Sequence, residues 1–160
     1  MSSDKVCLSA DQNKAVVFRF YEELWNDRNL DVADEIIAAD CVTHQLQSGA
    51  EPVGVTRGTE AVKRHVAEWL IGFPDLRFTV EGMIAEGDQV MTRSVMHGTH
   101  TGTWMGIAPT GKGVSIRMMV VQRILHGKIA EDWVLVEALG FFQQLGLIAP
   151  TEEVLAKAAQ

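Results

Sequence analysis

Cysteine, proline and positive charge are all scarce in this chain. Two cysteines, Cys7 and Cys41, stand among 160 residues, too few and too badly spaced for a disulfide framework or a zinc site, and their scarcity fits a reducing compartment. Lysine and arginine number 14 against 21 acidic residues, a net charge of -7. That balance repels a phosphate backbone unless the basic residues gather on one face. The densest basic run, Lys63-Arg64-His65, reads as the solvated side of a helix, so no nucleic-acid partner is expected. No apolar stretch reaches the ~18 residues of a membrane span, and Met1 to Lys5 lacks a cationic segment leading into an apolar one. The expectation is a cytoplasmic protein without a membrane partner.

What is present is ordinary globular material, 47% hydrophobic and 22% charged. A chain of this length buries roughly two thirds of its unfolded surface. Folding then needs neither metal nor disulfide, and an internal cavity is tolerable.

Periodicity divides the chain into two halves. Ser9 and Gln12 have capping-box spacing, and Val16, Val17, Phe20, Tyr21, Leu24 and Trp25 follow at helical intervals. A second helix is read from Leu30 to about Ala39, and Gln47 to Gly58 reads as a loop. Thr59 is placed to cap a third helix whose apolar side carries Val62, Val66, Trp69 and Leu70, ending at Gly72 and Pro74. Beyond Pro74 the period becomes two. Strands are predicted from Leu76, from about Gln89 to Thr101, over Val114 to Leu125 and over Lys128 to Val136, the last two joined by a His126-Gly127 hairpin. A short helix from Ala138 to Leu145 closes a domain spanning 11–149, with a flexible start over 1–10 and a C-terminal tail over 150–160 that has helical potential. Helices first and antiparallel strands afterwards argue for an α+β fold, a curled antiparallel sheet packed on N-terminal helices around a pocket. Outward residues Met119, Val121, Trp133 and Leu135 leave more apolar surface than a monomer comfortably exposes, so a homodimer or higher homo-oligomer is expected.

Taken in order, Phe73-Pro74-Asp75-Leu76, Glu86-Gly87-Asp88, Gly98-Thr99-His100-Thr101-Gly102, Gly106-Ile107-Ala108-Pro109-Thr110-Gly111, Gly127-Lys128-Ile129 and Gln144-Leu145-Gly146-Leu147 resemble the signatures of SnoaL-like polyketide cyclases over about residues 11–149. The resemblance implies a cone-shaped fold of the nuclear-transport-factor-2-like kind. It also implies cofactor-free acid/base chemistry on hydrophobic intermediates, and an oligomer packed through the sheet. In the aldol-type cyclases an aspartate on the last strand transfers the proton and a histidine on the preceding strand supports it. Laid on that pattern, Val134 takes the aspartate position and Val120 the histidine position, and neither valine can transfer a proton. The chain therefore resembles the bacterial ester-cyclase branch more than the aldol cyclases.

Alternation along the last strand puts Ala130, Asp132 and Val136 on the side of Val134, and Glu131, Trp133, Leu135 and Glu137 on the other. Asp132 is then the acid placed to move protons, a bulge would bring Glu131 in instead, and His44 resembles a histidine that relatives carry at the cavity mouth. The expected lining comprises Tyr21, Trp25, Trp69, His97, His100 and Trp104, with Met118, Val120, Gln122 and Val134 from the strands. His97 and His100, three apart on a strand, face oppositely and fall short of a tetrahedral set, so no metal and no other cofactor is expected. Pro109-Thr110-Gly111-Lys112-Gly113 lacks phosphate-loop spacing and reads as a turn. Two functions stay open, a cofactor-independent enzyme (a lyase, isomerase, hydrolase or cyclase) acting on a small hydrophobic metabolite, and a protein that binds such a molecule without turnover.

Overall fold

The computed structural model describes residues 8–45, 54–56 and 58–159. Most of the expected flexible start and of the expected 47–58 loop therefore lies outside the described residues. The chain runs α1 (Ala10–Arg19), a π-helical continuation (Phe20–Asn26), α2 (Val32–Ile36), β1 (Ile37–Gln45), β2 (Gly54–Thr56), α3 (Gly58–Gly72), β3 (Arg77–Glu86), β4 (Gln89–Thr99), β5 (Gly113–Leu125), β6 (Lys128–Val136), α4 (Ala138–Leu145) and α5 (Thr151–Ala158). It is an α+β fold in which one six-stranded sheet, ordered β2-β1-β6-β5-β4-β3, carries α1, its π continuation and α3 on its inner face. The sheet is open, with β2 and β3 as its edges.

Local chemistry sets the boundaries. The capping box forms as the spacing predicts: Gln12 N donates to Ser9 Oγ at 3.2 Å and Ser9 N to Gln12 Oε1 at 2.8 Å. His126 and Gly127 both take positive φ, 51° and 76°, the mirror-image turn that suits the twist of a two-residue hairpin. At the end of the π segment Asn26 clamps β3, its Nδ2 donating to Phe78 O at 3.0 Å and its Oδ1 accepting from Phe78 N at 2.8 Å.

Four expectations need correction. The second helix stops at Ile36, and Ile37–Gln45 is a strand. Its pairing with β6 is parallel, so the sheet is mixed, and the register shifts between Ile37 and Val42. That irregularity hides the period of two, while pairing with β6 overrides the weak helical pattern of the segment. The stretch read as a loop contains β2, antiparallel to β1. Thr59 lies inside α3, which starts at Gly58.

The loop after β4 folds back on the end of α3. Thr101 N and Gly102 N both donate to Gly72 O, at 3.1 and 3.0 Å, and Trp104 packs on Trp69 with ring centroids 4.7 Å apart. Among the described residues, no helix is long and apolar enough to cross a membrane.

Candidate functional site

A partly enclosed pocket of about 130 Å³ lies between the helices and the inner face of the sheet. Its floor alternates as a strand must. Met118 and Val120 of β5 and Asp132, Val134 and Val136 of β6 face in, with Val120 paired to Val134 and Gln122 to Asp132. Cys41 and Thr43 of β1 extend the floor, Thr43 standing beside Asp132. Phe78, Met96 and Ile116 complete the sheet side.

The roof comes from three places. The π segment presents Phe20, Tyr21 and Trp25, α3 presents Val62, His65 and Trp69, and α4 presents Phe141. Wide π turns of this kind concentrate at functional sites. Tyr21 is 1% exposed, and its hydroxyl sits beside those of Ser94 and Thr92. Burial, reinforced by the negative charge of Asp132 and opposed by the two hydroxyls, pushes the phenol up to about 12. Tyr21 is therefore a neutral hydrogen-bond donor throughout the physiological range.

Of the lining expected from the sequence, Tyr21, Trp25, Trp69, Met118, Val120 and Val134 do line the pocket. His97 does not: it is exposed, facing away from the inner side. His100 is fully buried behind the pocket, stacked on Phe73 at 5.0 Å, with Nδ1 accepting from Thr110 N at 3.3 Å. Trp104 backs Trp69 as a second layer. Gln122 is fully buried on the inner face, paired with Asp132, and is not among the residues that line the pocket. Among the described residues no three His, Cys, Asp or Glu side chains are grouped to hold a metal ion.

The three expected proton carriers are not brought together. Asp132 faces the pocket, whereas Glu131 and His44 share the opposite face of the sheet. There His44 stacks on Trp133, with centroids 5.2 Å apart and planes 7° from parallel, and its Nε2 donates to Glu131 Oε1 at 2.7 Å. Arg123 Nε donates to the other carboxylate oxygen at 3.0 Å. A bulge does exist in β6, where the register shifts between Arg123 and Ile124. It falls at Ala130, before Glu131, and so leaves the alternation of the remaining strand intact.

Hydrogen bonds from His44 and then Arg123 hold the Glu131 carboxyl below the usual carboxylate range, against the opposing effect of burial. A depressed folded value means that the stabilisation is fully present above the ordinary carboxylate pKa and is lost as pH falls through the folded one. Glu131→Gln should thus cost about 1 kcal/mol at neutral pH, and the gap to the parent protein should close on acidification. Urea titrations at several pH values read it directly, and a gap that widens toward acid would contradict the assignment.

His65, Cys41 and Thr43 are among the lining residues that sequence reasoning missed. His65 lies three residues after Val62 and four before Trp69, on the buried stripe, and its ring meets Trp25 and Trp69 edge-on at 6.2 and 6.3 Å. The adjacent Lys63 and Arg64 masked that spacing by making a basic run of it. Lys63 bonds Asp34 at 2.8 Å, and Arg64 is exposed.

The profile described as SnoaL-like polyketide cyclase matches residues 15–145. No curated protein matches the chain. Among solved structures, IdmH from Streptomyces antibioticus, provisionally assigned as a polyketide cyclase, is 31% identical, with 84% of this chain and 99% of that one covered and a TM-score of 0.72. AclR from Streptomyces galilaeus, provisionally assigned as a hydroxylase, is 26% identical over 94% of this chain and 91% of its own, with a TM-score of 0.77. A SnoaL-like protein from Jannaschia sp. CCS1 shares the fold at 23% identity, over 94% of this chain and 98% of its own, with a TM-score of 0.74.

Proposed function

Because the chain belongs to the SnoaL-like polyketide cyclase family, we propose that it is a cofactor-independent acid/base enzyme acting on a small, largely apolar metabolite, with Asp132 as the proton carrier. Asp132 supports this most directly: among the described residues it is the one carboxylate in the lining, set in a floor of valine and methionine. A carboxylate placed against apolar walls can take a proton from a carbon or oxygen acid and return it elsewhere, the step common to lyases, isomerases, hydrolases and cyclases of this kind. His65 and Tyr21 converge on the same space from the roof, so a substrate has titratable groups on two sides. His44 and Glu131 belong to the outer-face network and are left out of the chemistry.

A non-catalytic carrier of the same ligand is the second reading, and Val120 and Val134 favour it, facing each other across the floor where the family resemblance places a histidine and an aspartate. Incubating the protein in D2O with a panel of cyclic ketones and lactones separates the two. An enzyme of this class speeds deuterium uptake into the carbon skeleton, read by mass spectrometry. Ligands that bind and gain no deuterium would sink the catalytic reading.

The outer sheet face supports a homodimer. Met119 and Leu135 pair there and are each 49% exposed, and Met91, Val121 and Trp133 form the next row. Apolar surface of this continuity is the usual mark of an interface. Sedimentation velocity at micromolar concentration should give a dimer or larger species, and Met119→Lys should shift it to monomer. A wild-type monomer would overturn the assignment.

A further inference from the structure

The C-terminal helix is amphipathic, and its own chain gives it nothing to lie on. No residue of α5 is buried, and the helical repeat brings Thr151, Val154, Leu155 and Ala158 onto one face. Leu155 is 64% exposed, and Val154, Leu147 and Ile148 are exposed with it. Glu152 flanks the apolar face, while Glu153 pairs with Lys157 at 2.7 Å on the far side. The base of the helix is held, since Gln143 Nε2 donates to Ala149 O at 2.9 Å and to Thr151 Oγ1 at 3.2 Å. With 8 residues, α5 is well short of the ~12–15 at which a helix holds by itself in water, and a helix this short draws its stability from packing an apolar face. The amphipathic pattern therefore implies a covering surface.

The outer face of the sheet is complementary to it in both polarity and charge. One apolar row there is Ile84-Met91-Val121-Trp133, and Met119-Leu135 lies beside it. The chain carries a net charge of -7, yet on this face Arg77, Arg93, Arg117 and Arg123 outnumber Glu81, Glu131 and Glu137. Arg93 is matched by Glu81 at 3.1 Å and Arg123 by Glu131 at 3.0 Å. Arg117 is exposed, two residues before Met119 on the same face of β5, and has no ion-pair partner among the described residues. Glu152 stands the same way on α5, a carboxylate without an ion pair at the margin of an apolar face. Both surfaces belong to one chain. A two-fold axis can satisfy both at once, each helix covering the other copy's sheet.

We propose that α5 is an exchanged arm: in the homodimer each copy lays Val154 and Leu155 on the partner's Met119 and Leu135, with Glu152 against the partner's Arg117. Apolar burial supplies the affinity, and the ion pair sets the direction of the helix on the sheet. The inference rests on the homodimer proposed above and adds the segment that covers its sheet.

Sedimentation velocity on full-length variants tests it. Leu155→Asp should weaken dimerisation by at least about tenfold, because a buried apolar side chain is replaced by a charge, and should leave the Tm of a dilute, monomeric sample unchanged. Glu152→Arg and Arg117→Glu should each weaken it by about threefold, the scale of one exposed ion pair, and the protein carrying both, with its charges exchanged, should return to within about twofold of the wild type. Mixing Leu155→Cys chains with Met119→Cys chains under mild oxidation should link one of each. A dimer indifferent to Leu155→Asp, or charge reversals that do not compensate, overturns the arm and leaves the dimer standing. So do Met119→Cys chains that link only to one another, since two sheet faces would then meet directly. A chain carrying both cysteines that closes on itself as a monomer also overturns the arm, because α5 would then fold back on its own sheet. A wild-type protein that sediments as a monomer overturns the dimer and the arm together.

Discussion

Asp132→Asn should lower the rate of proton transfer by about 10²–10⁴-fold, the range general acid/base catalysis supplies, with the fold unchanged. The amide has nearly the shape of the carboxylate and can neither accept nor deliver a proton at neutral pH. Asp132 faces the pocket and pairs with Gln122 on one side and Thr43 on the other, so the substitution changes the chemistry of the floor more than its packing. Glu131→Gln is the control one residue away. Its side chain points to the outer face, bonded to His44 and Arg123, and it should keep the rate. Equal exchange rates in the parent protein and Asp132→Asn would remove Asp132 from the mechanism, and a loss confined to Glu131→Gln would mean that the outer face carries the chemistry.

Gly102→Ala should be the most damaging glycine-to-alanine change among the described residues, lowering stability by about 3 kcal/mol and Tm by about 10 °C. A Cβ at this position would fall on the Ile71 carbonyl oxygen, and it would also meet the Ile71 carbonyl carbon at 2.9 Å. Both are backbone atoms at the end of α3, and a backbone cannot swing aside as a flexible side chain does. The two hydrogen bonds onto Gly72 O would have to lengthen, and Trp104, whose Cβ lies 2.6 Å from where a Gly72 Cβ would sit, would lose its seat against Trp69. Gly113→Ala is the contrast, with nothing within 4 Å of the added carbon and no positive φ. Thermal unfolding of the pair decides: similar melting temperatures would mean that the loop after β4 yields freely.

The regular elements were legible because their hydrophobic period is clean. Lys128–Val136 emerges with the bounds the sequence suggests; alternation separates Asp132 from Glu131, and it is the family resemblance at Val134 that implies which of the two faces the pocket, the side on which Asp132 lies. Where the period is broken, the reading failed. Ile37–Gln45 carries its register shift between Ile37 and Val42, so no run of alternating residues is long enough to outweigh a helical interpretation. Losing β1 also lost Cys41 and Thr43 as lining residues and put His44 at the cavity mouth, whereas it lies on the outer face with Trp133 and Glu131. His65 was misread for a different reason: formal charge in its neighbours outweighed its position on the buried stripe of α3. His100 and Trp104 were read as lining because an aromatic or imidazole ring in a core and one at a cavity wall have the same sequence signature, and only tertiary packing separates the first layer from the second.

The parallel pairing of β1 with β6 also governs how the protein comes to exist. His44 and Glu131 are 87 residues apart in the chain, and Thr43 meets Asp132 across the same seam. Contacts so distant in sequence are slow to form, because the entropy of closing the loop is lost before they repay it. During synthesis α1, α2, β1, β2 and α3 emerge first, and β1, which pairs with β2 on one side, has its other side unpaired until β6 has left the ribosome. The hairpins β3-β4 and β5-β6 can zip locally, but the pocket floor closes only when the two ends of the domain dock. Binding competence is therefore a property of the finished chain, arriving with global cooperativity rather than before it.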